Sequence, residues 1–168
     1  MFNSEERTEN VSVRVGMPAP NFNLPTEKDV EWRLSEQRGK IVVLLFYPGN
    51  ETLVCTKQLC SVRDNWEDYL KTKATVVGIS PGNVEEHLEF SNHHQLPLRL
   101  LVDKNRKVTR IYGQHRLYPI SLTRAVVVID AKGIVRTRKI MLRVFRPADG
   151  EVLSEIRAAR TDALFHTA

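Results

Sequence analysis

An α/β fold, built on a mixed central sheet with helices on both faces, is what this 168-residue sequence predicts. Three observations carry that expectation. Residues 41–47 form a continuous apolar, largely β-branched run ended by Pro48-Gly49, the pattern of a strand buried on both faces. Early runs of this kind alternate with stretches of helical period, which makes the strands parallel neighbours. Near the end, two strand-like runs flank Asp130-Ala131-Lys132-Gly133, a hairpin signal that adds antiparallel strands.

The elements follow in chain order. Residues 1–13 read as a flexible tail, and residues 14–168 as one domain, because no repeat, low-complexity segment or linker interrupts them. Val15-Gly16-Met17-Pro18-Ala19-Pro20 reads as an extended entry, since each proline disfavours helix in the residue before it. Residues 31–34 form a short strand in a β-rich start. Across residues 54–71 the period changes. Leu59, Val62, Trp66 and Leu70 recur at steps of three or four and mark one apolar helix face. Residues 74–79 form a second buried strand, with Ser80-Pro81-Gly82-Asn83 as a turn and helix start. Further elements are a helix over 84–94, a strand over 98–102 and a helix over 104–112 that Gly113 ends. Strands over 125–129 and 134–138 precede a C-terminal helix over 151–164, with Val152, Ile156 and Ala159 on one side. This is the thioredoxin-like plan with an N-terminal β extension.

Composition narrows the function classes. No apolar run approaches the roughly 18 residues that a membrane-spanning helix needs, so no membrane role is expected. The opening MFNSEERTEN is polar and acidic where a secretory signal needs a basic start and an apolar stretch. Two cysteines cannot make a disulfide-rich scaffold, so a reducing, cytoplasmic setting is expected. Residues 1–103 hold 11 basic and 15 acidic side chains, net −4, whereas residues 104–168 hold 14 and 5, net +9. The basic half lacks a dense Lys/Arg block and interleaved aromatics, so it reads as a solvated surface rather than a nucleic-acid site.

The chemistry concentrates where the first buried strand gives way to a helix. In Pro48-Gly49-Asn50-Glu51-Thr52-Leu53-Val54-Cys55, the cysteine falls in the helix's first turn. Free backbone N–H groups and the positive end of the helix dipole converge there and favour a thiolate. Thr52, three residues earlier, is placed to cap the helix or reach the sulfur with its hydroxyl. Pro48 ends the strand and can shield the sulfur from water. A buried structural cysteine in a capped helix is the alternative.

Cys60 sharpens the choice. Residues five apart on an ideal helix have Cα atoms about 8.6 Å apart and point about 140° apart, whereas a disulfide needs roughly 4.4–6.8 Å. Cys55 and Cys60 therefore cannot pair unless the first turns unwind. A zinc site has too few partners at suitable spacing, and two thiols are too few for an iron–sulfur cluster in a lone chain. The histidines are His87, His93, His94, His115 and His166, and the adjacent His93-His94 reads as a solvated helix end. Neither a G-x-G-x-x-G nor a G-x-x-x-x-G-K-[ST] motif supports nucleotide chemistry.

These residues resemble a known family. Pro48, Thr52 and Cys55 match the P-x-x-x-[TS]-x-x-C motif of peroxiredoxins. Cys55-Thr56-Lys57-Gln58-Leu59-Cys60 is similar to the C-T-K-Q-x-C stretch of the Q-type branch, the bacterioferritin comigratory proteins. Val15-Gly16-Met17-Pro18-Ala19-Pro20-Asn21-Phe22, Val77-Gly78-Ile79-Ser80 and Leu100-Leu101-Val102-Asp103 resemble further landmarks. Thr123-Arg124-Ala125-Val126-Val127-Val128-Ile129-Asp130 resembles the strand that carries the family's second essential arginine. The likeness covers about residues 14–160.

The resemblance implies a thiol-specific peroxidase acting on hydrogen peroxide and organic hydroperoxides, with no cofactor and no metal. Cys55 would be the attacking thiolate. Thr52 and the Cys55 backbone N–H would hold the peroxide oxygens, and Arg124 would stabilise the developing charge. Cys60 would resolve the resulting sulfenic acid to a disulfide, which a thioredoxin-like dithiol would reduce. The branch implies a monomer, with a homodimer through the apolar residues near Leu117 and Tyr118 as the alternative. Three departures stand out: Leu53-Val54 where the branch usually has Pro-Gly, Gly49 where Lys is common, and a different stretch over 114–122. A second function class is a redox sensor or binding module, in which oxidation-linked unwinding is the output. A thioredoxin-like reductant ranks below both, because it normally carries C-x-x-C.

Overall fold

The computed structural model describes residues 13–165, so the tail expected over 1–13 lies almost wholly outside the described residues. A small antiparallel pair comes first: β1 (Asn23–Pro25) on β2 (Glu31–Arg33). The main sheet follows, built from β3 (Val42–Phe46), β4 (Thr75–Ser80), β5 (Arg99–Val102), β6 (Thr123–Ile129) and β7 (Val135–Leu142) in the order β5-β4-β3-β6-β7. β3 pairs parallel to β4, and β4 to β5, while β6 runs antiparallel to both β3 and β7. The helices are α1 (Leu53–Asp64), α2 (Trp66–Thr72), α3 (Val84–His93), α4 (Lys107–Gly113) and α5 (Asp149–Phe165). The sheet is mixed, as the sequence predicts, with the expected N-terminal β extension. No helix among the described residues is long and apolar enough to cross a membrane.

β3 sits at the centre and is buried along its whole length. Successive side chains of a strand point to opposite faces. Val43, Leu45 and Tyr47 therefore enter one core with Leu59 and Val62 of α1, Phe90 of α3 and Ile156 of α5. Val42, Leu44 and Phe46 enter the other with Phe22, Trp32 and Tyr112. A strand that must be apolar on both faces shows no alternation in sequence, which is why residues 41–47 read as one run.

Several elements differ from their expected form. The single helical period over 54–71 is two helices. Asn65 breaks it: its backbone leaves helical geometry at φ −104, ψ 18, and its side-chain Nδ2 donates to the Ser61 carbonyl at 2.9 Å. An amide side chain that competes for a backbone carbonyl is a known helix interrupter. The break resets the helix phase, so Tyr69 is buried and Leu70, expected on the apolar face, is 58% exposed. α4 starts three residues later than expected. The Asp103 carboxylate accepts the Val108 and Thr109 backbone N–H groups at 3.3 and 2.7 Å, and so keeps residues 103–106 as a turn. β6 begins at Thr123 rather than at 125, and β7 runs on to Leu142.

The break at Asn65 is also where the C-terminal helix locks on. Asp149, in the first turn of α5, accepts hydrogen bonds from Ser61 Oγ, from Asn65 Nδ2 at 3.2 Å and from Tyr69 Oη at 2.6 Å. Burial, together with this bond, pushes the Tyr69 phenol well above its ordinary range, so it stays a donor. Asp149→Ala is expected to cost about 2–3 kcal/mol, because it removes charge-assisted bonds and strands buried donors. A urea-denaturation midpoint that does not move would contradict this.

Candidate active site

The turn after β3 delivers the expected residues in order. Pro48 ends the strand, and Thr52 stands immediately before α1 in extended geometry, at φ −80, ψ 146. The Thr52 carbonyl accepts the first helical bond, from Thr56 N–H at 2.9 Å. One expectation is corrected here. Thr52 is the N-cap residue, but its hydroxyl does not cap the helix; it donates back to the Gly49 carbonyl at 3.4 Å. Glu51, between Gly49 and Thr52, sits at φ +57.

Cys55 lies on the third residue of α1, buried at 0% exposure within the core formed by β3, α3 and α5. Arg124 reaches it from the neighbouring strand. β3 and β6 pair with Phe46 opposite Ala125, so Arg124 stands at the end of β3 from which the Pro48 turn departs. Its Nη2 lies 3.3 Å from Cys55 Sγ and also donates to the Arg143 carbonyl at 2.8 Å. Pro48 and Arg124 line one small cleft together with Phe46, Ile120 and Thr123.

Arg124 is 2% exposed, yet among the described residues it makes no ion pair with a carboxylate. A buried cation without a counter-charge is costly. The atom in contact that can supply a negative charge is the Cys55 sulfur. The guanidinium thus lies directly against the Cys55 sulfur, with no carboxylate among the described residues competing for it.

Gln58 is a residue that sequence reasoning quoted but did not assign. It is buried, and its Oε1 accepts a hydrogen bond from Arg124 Nη1. A residue three positions after Cys55 shares its helix face, and that spacing was the available signal. Gln58 Nε2 and Arg124 Nε are buried and have no partner among the described residues. Both belong to the bonded Arg124–Gln58 pair, of which Arg124 meets the sulfur.

Cys60 is also free and half-buried, on the same unbroken helix. The structure does not bring the two thiols together, as the ideal spacing requires. Of the departures from the usual pattern, Leu53 opens α1 with its side chain 72% exposed, while Val54 is half-buried beside Cys55. Leu117, Tyr118 and Leu122 of the 114–122 stretch are exposed.

With this geometry in place, comparison with known proteins is direct. The sequence model of the AhpC/TSA family matches residues 15–138. A chloroplastic peroxiredoxin Q from Triticum aestivum is 40% identical over 125 residues, covering 74% of this chain and 58% of that protein. The chain thus spans less than two thirds of that relative's length. Peroxiredoxin Bcp from Bacillus subtilis (strain 168) is 30% identical over 141 residues, covering 79% of this chain and 90% of that protein. Among solved structures, the peroxidoxin BcpB of Mycobacterium tuberculosis superposes with a TM-score of 0.73 at 27% identity, covering 89% of this chain and 97% of that one. A family match over most of the length, two relatives carrying peroxiredoxin names and a shared thioredoxin-like architecture converge: the chain belongs to the AhpC/TSA family.

Proposed function

We propose that this protein is a thiol-dependent peroxidase that reduces hydrogen peroxide and organic hydroperoxides, with Cys55 as the attacking thiolate and Cys60 as the resolving thiol. The observation that carries the proposal is the 3.3 Å contact between Cys55 Sγ and a buried Arg124 that has no carboxylate partner among the described residues. Membership of a family whose relatives are named peroxiredoxin supports it.

The thiolate sulfur attacks one peroxide oxygen, and an S–O bond forms as the O–O bond breaks. The leaving oxygen departs as alkoxide or hydroxide and is protonated to alcohol or water. Sulfur is oxidised to the sulfenic acid while the peroxide is reduced. Arg124 stabilises the thiolate and then the charge moving onto the leaving oxygen; such preorganised donors are usually the largest catalytic term. The Cys55 backbone N–H is a further donor for the peroxide oxygens, Thr52 Oγ1 becomes one when its hydroxyl turns from the Gly49 carbonyl, and Pro48 shields the sulfur. Once α1 unwinds, Cys60 attacks the sulfenic acid, expelling water and forming the disulfide. A thioredoxin-like dithiol returns the pair to two thiols by exchange. The sulfur carries the redox chemistry, so no metal or organic cofactor is invoked.

We assign a monomer as the working unit, as the resemblance to the Q-type branch implies, with a homodimer through the exposed Leu117 and Tyr118 as the alternative. The cycle needs a compartment that keeps the pair reduced between turnovers, and we assign the cytoplasm.

The test is intact mass and thiol count after one equivalent of hydrogen peroxide, with excess free thiol as competitor. The expected result is loss of two hydrogens, with both cysteines blocked to alkylation. In Cys60→Ser the expected result is one added oxygen on Cys55 and no thioredoxin-driven turnover. Unchanged mass with two alkylatable thiols in the parent protein would overturn the proposal.

A further inference from the structure

Helix α3 and its C-cap residue turn two histidines toward the loop that joins β3 to α1. His87 and His94 are seven residues apart, so they stack along one side of the helix, two turns apart. Nothing in the peroxidase chemistry above uses either of them.

His87 is buried at 0% exposure, with both ring nitrogens bonded. The donors run in one direction. Tyr47 Oη donates to Asn50 Oδ1 at 2.8 Å. That leaves Asn50 Nδ2 to donate to His87 Nδ1 at 3.2 Å. His87 Nε2–H then donates to Ser80 Oγ at 3.0 Å, and Ser80 Oγ to the Pro81 carbonyl at 3.3 Å. With the amide oriented this way, each bond of the chain has one donor and one acceptor only when the ring is neutral and carries its proton on Nε2. Burial lowers the His87 pKa below the ordinary histidine value, in the same direction. Gly82 makes room for the ring. It sits at φ +126, and a Cβ there would meet His87 Cε1 at 3.2 Å and Glu86 Oε2 at 2.8 Å.

The next residue of the loop is held as well. Glu51 takes a positive φ that non-glycine residues rarely adopt, and its carboxylate accepts from His94 Nε2 at 3.3 Å. The His94 carbonyl in turn accepts from Arg63 Nη1, on α1, at 2.6 Å. The segment between Pro48 and Thr52 is thus pinned at two consecutive residues by one face of α3. The buried pin is the Tyr47–Asn50–His87–Ser80 chain.

We propose that His87 is a positioning residue for the Cys55 centre: through Asn50 it fixes the loop that presents Pro48, Thr52 and the first turn of α1 to the peroxide. This rests on the peroxidase reading above. The peroxide oxygens must meet Thr52 Oγ1 and the Cys55 N–H while the sulfur attacks in line, so a loop displaced by a fraction of an ångström loses rate without losing the thiolate.

The test uses Asn50→Ala, His87→Leu and His87→Gln in a Cys60→Ser background, so that one thiol is read. Two rate constants are measured for Cys55: with hydrogen peroxide, by competition against a haem peroxidase, and with iodoacetamide. Asn50→Ala and His87→Leu are expected to slow the peroxide reaction by about 10- to 100-fold, as modest misplacement does elsewhere, with no fall in alkylation. His87→Gln, which keeps an acceptor and a donor, is expected to recover most of the loss. Unchanged peroxide rates in Asn50→Ala and His87→Leu would overturn the inference, as would peroxide and iodoacetamide rates falling together. If His87→Leu does not fold, Asn50→Ala decides alone. A parent that fails to react with peroxide overturns the peroxidase reading and this inference with it; a reactive parent with unaffected variants overturns this inference alone.

Discussion

Cys55→Ser is expected to reduce peroxide consumption, driven by a thioredoxin-like dithiol, to the uncatalysed background, a loss of about 10⁴-fold or more, as for removal of other enzymes' nucleophiles. The reason is the atom itself. A serine hydroxyl beside Arg124 remains protonated near neutral pH and is a poor nucleophile toward the O–O bond, whereas a cysteine sulfur is readily ionised and polarizable. The fold should survive the exchange. Cys55 is fully buried between apolar side chains and Arg124, so the hydroxyl costs about 1–2 kcal/mol where its O–H finds no acceptor. Stability and turnover are measured together, by thermal midpoint and by peroxide consumption. A folded Cys55→Ser protein that still turns over peroxide would place the chemistry on another residue.

Arg124→Met should separate catalysis from stability more sharply. Methionine keeps much of the buried length and deletes the guanidinium. The peroxide rate constant is expected to fall about 10²- to 10³-fold, the range seen when one preorganised donor is removed from an anion-stabilising site. The folded state should lose little. A buried cation with no carboxylate partner among the described residues carries a desolvation cost that an apolar side chain avoids. The thermal midpoint is therefore expected to hold or rise. The donors now made to the Arg143 carbonyl and Gln58 Oε1 limit the gain, because those acceptors would be left unpaired. A rate constant within threefold of the parent's would show that Arg124 is a structural side chain whose contact with the sulfur is incidental. Arg124→Lys is informative beside it. The charge is kept but the planar fork is lost, so Cys55, Gln58 and the Arg143 carbonyl can no longer be served together.

Much of the site could be read from local sequence, because its geometry is local. Pro48, Thr52 and Cys55 lie within eight residues, on the turn from one strand to one helix. Strand end, extended cap position and first helical turn follow from the residue types alone. The distant partner was different. Arg124 is one of 25 basic side chains, and the residues give no distance between it and Cys55. Its role was expected only because the strand around it resembled a family. What brings it to the sulfur is the antiparallel register of β6 on β3. Gln58 was on the right face at the right spacing, but its partner became evident only with that register. His87 carried no local signal. A histidine in the middle of an amphipathic helix reads as core, and only the return of the β3–α1 loop against α3 makes it a bonded group.

The errors in the element boundaries share a cause. Hydrophobic periodicity ran unbroken through Asn65, and so could not show that a side-chain amide would stop α1 and rotate Leu70 into solvent. In the same way, a threonine three residues before Cys55 reads as a cap, while its hydroxyl bonds back to the Gly49 carbonyl.

Local residue patterns suffice to specify the α/β class, the doubly buried central strand, the helix that begins beside Cys55 and the impossibility of a disulfide on that intact helix. Each follows from periodicity, turn residues or helix geometry, which act over a few residues. Tertiary structure alone decided which cation meets the sulfur, which amide holds that cation and which histidine pins the loop. Those choices depend on strand register and on helix placement across the sheet, and both are fixed by burying two apolar faces at once.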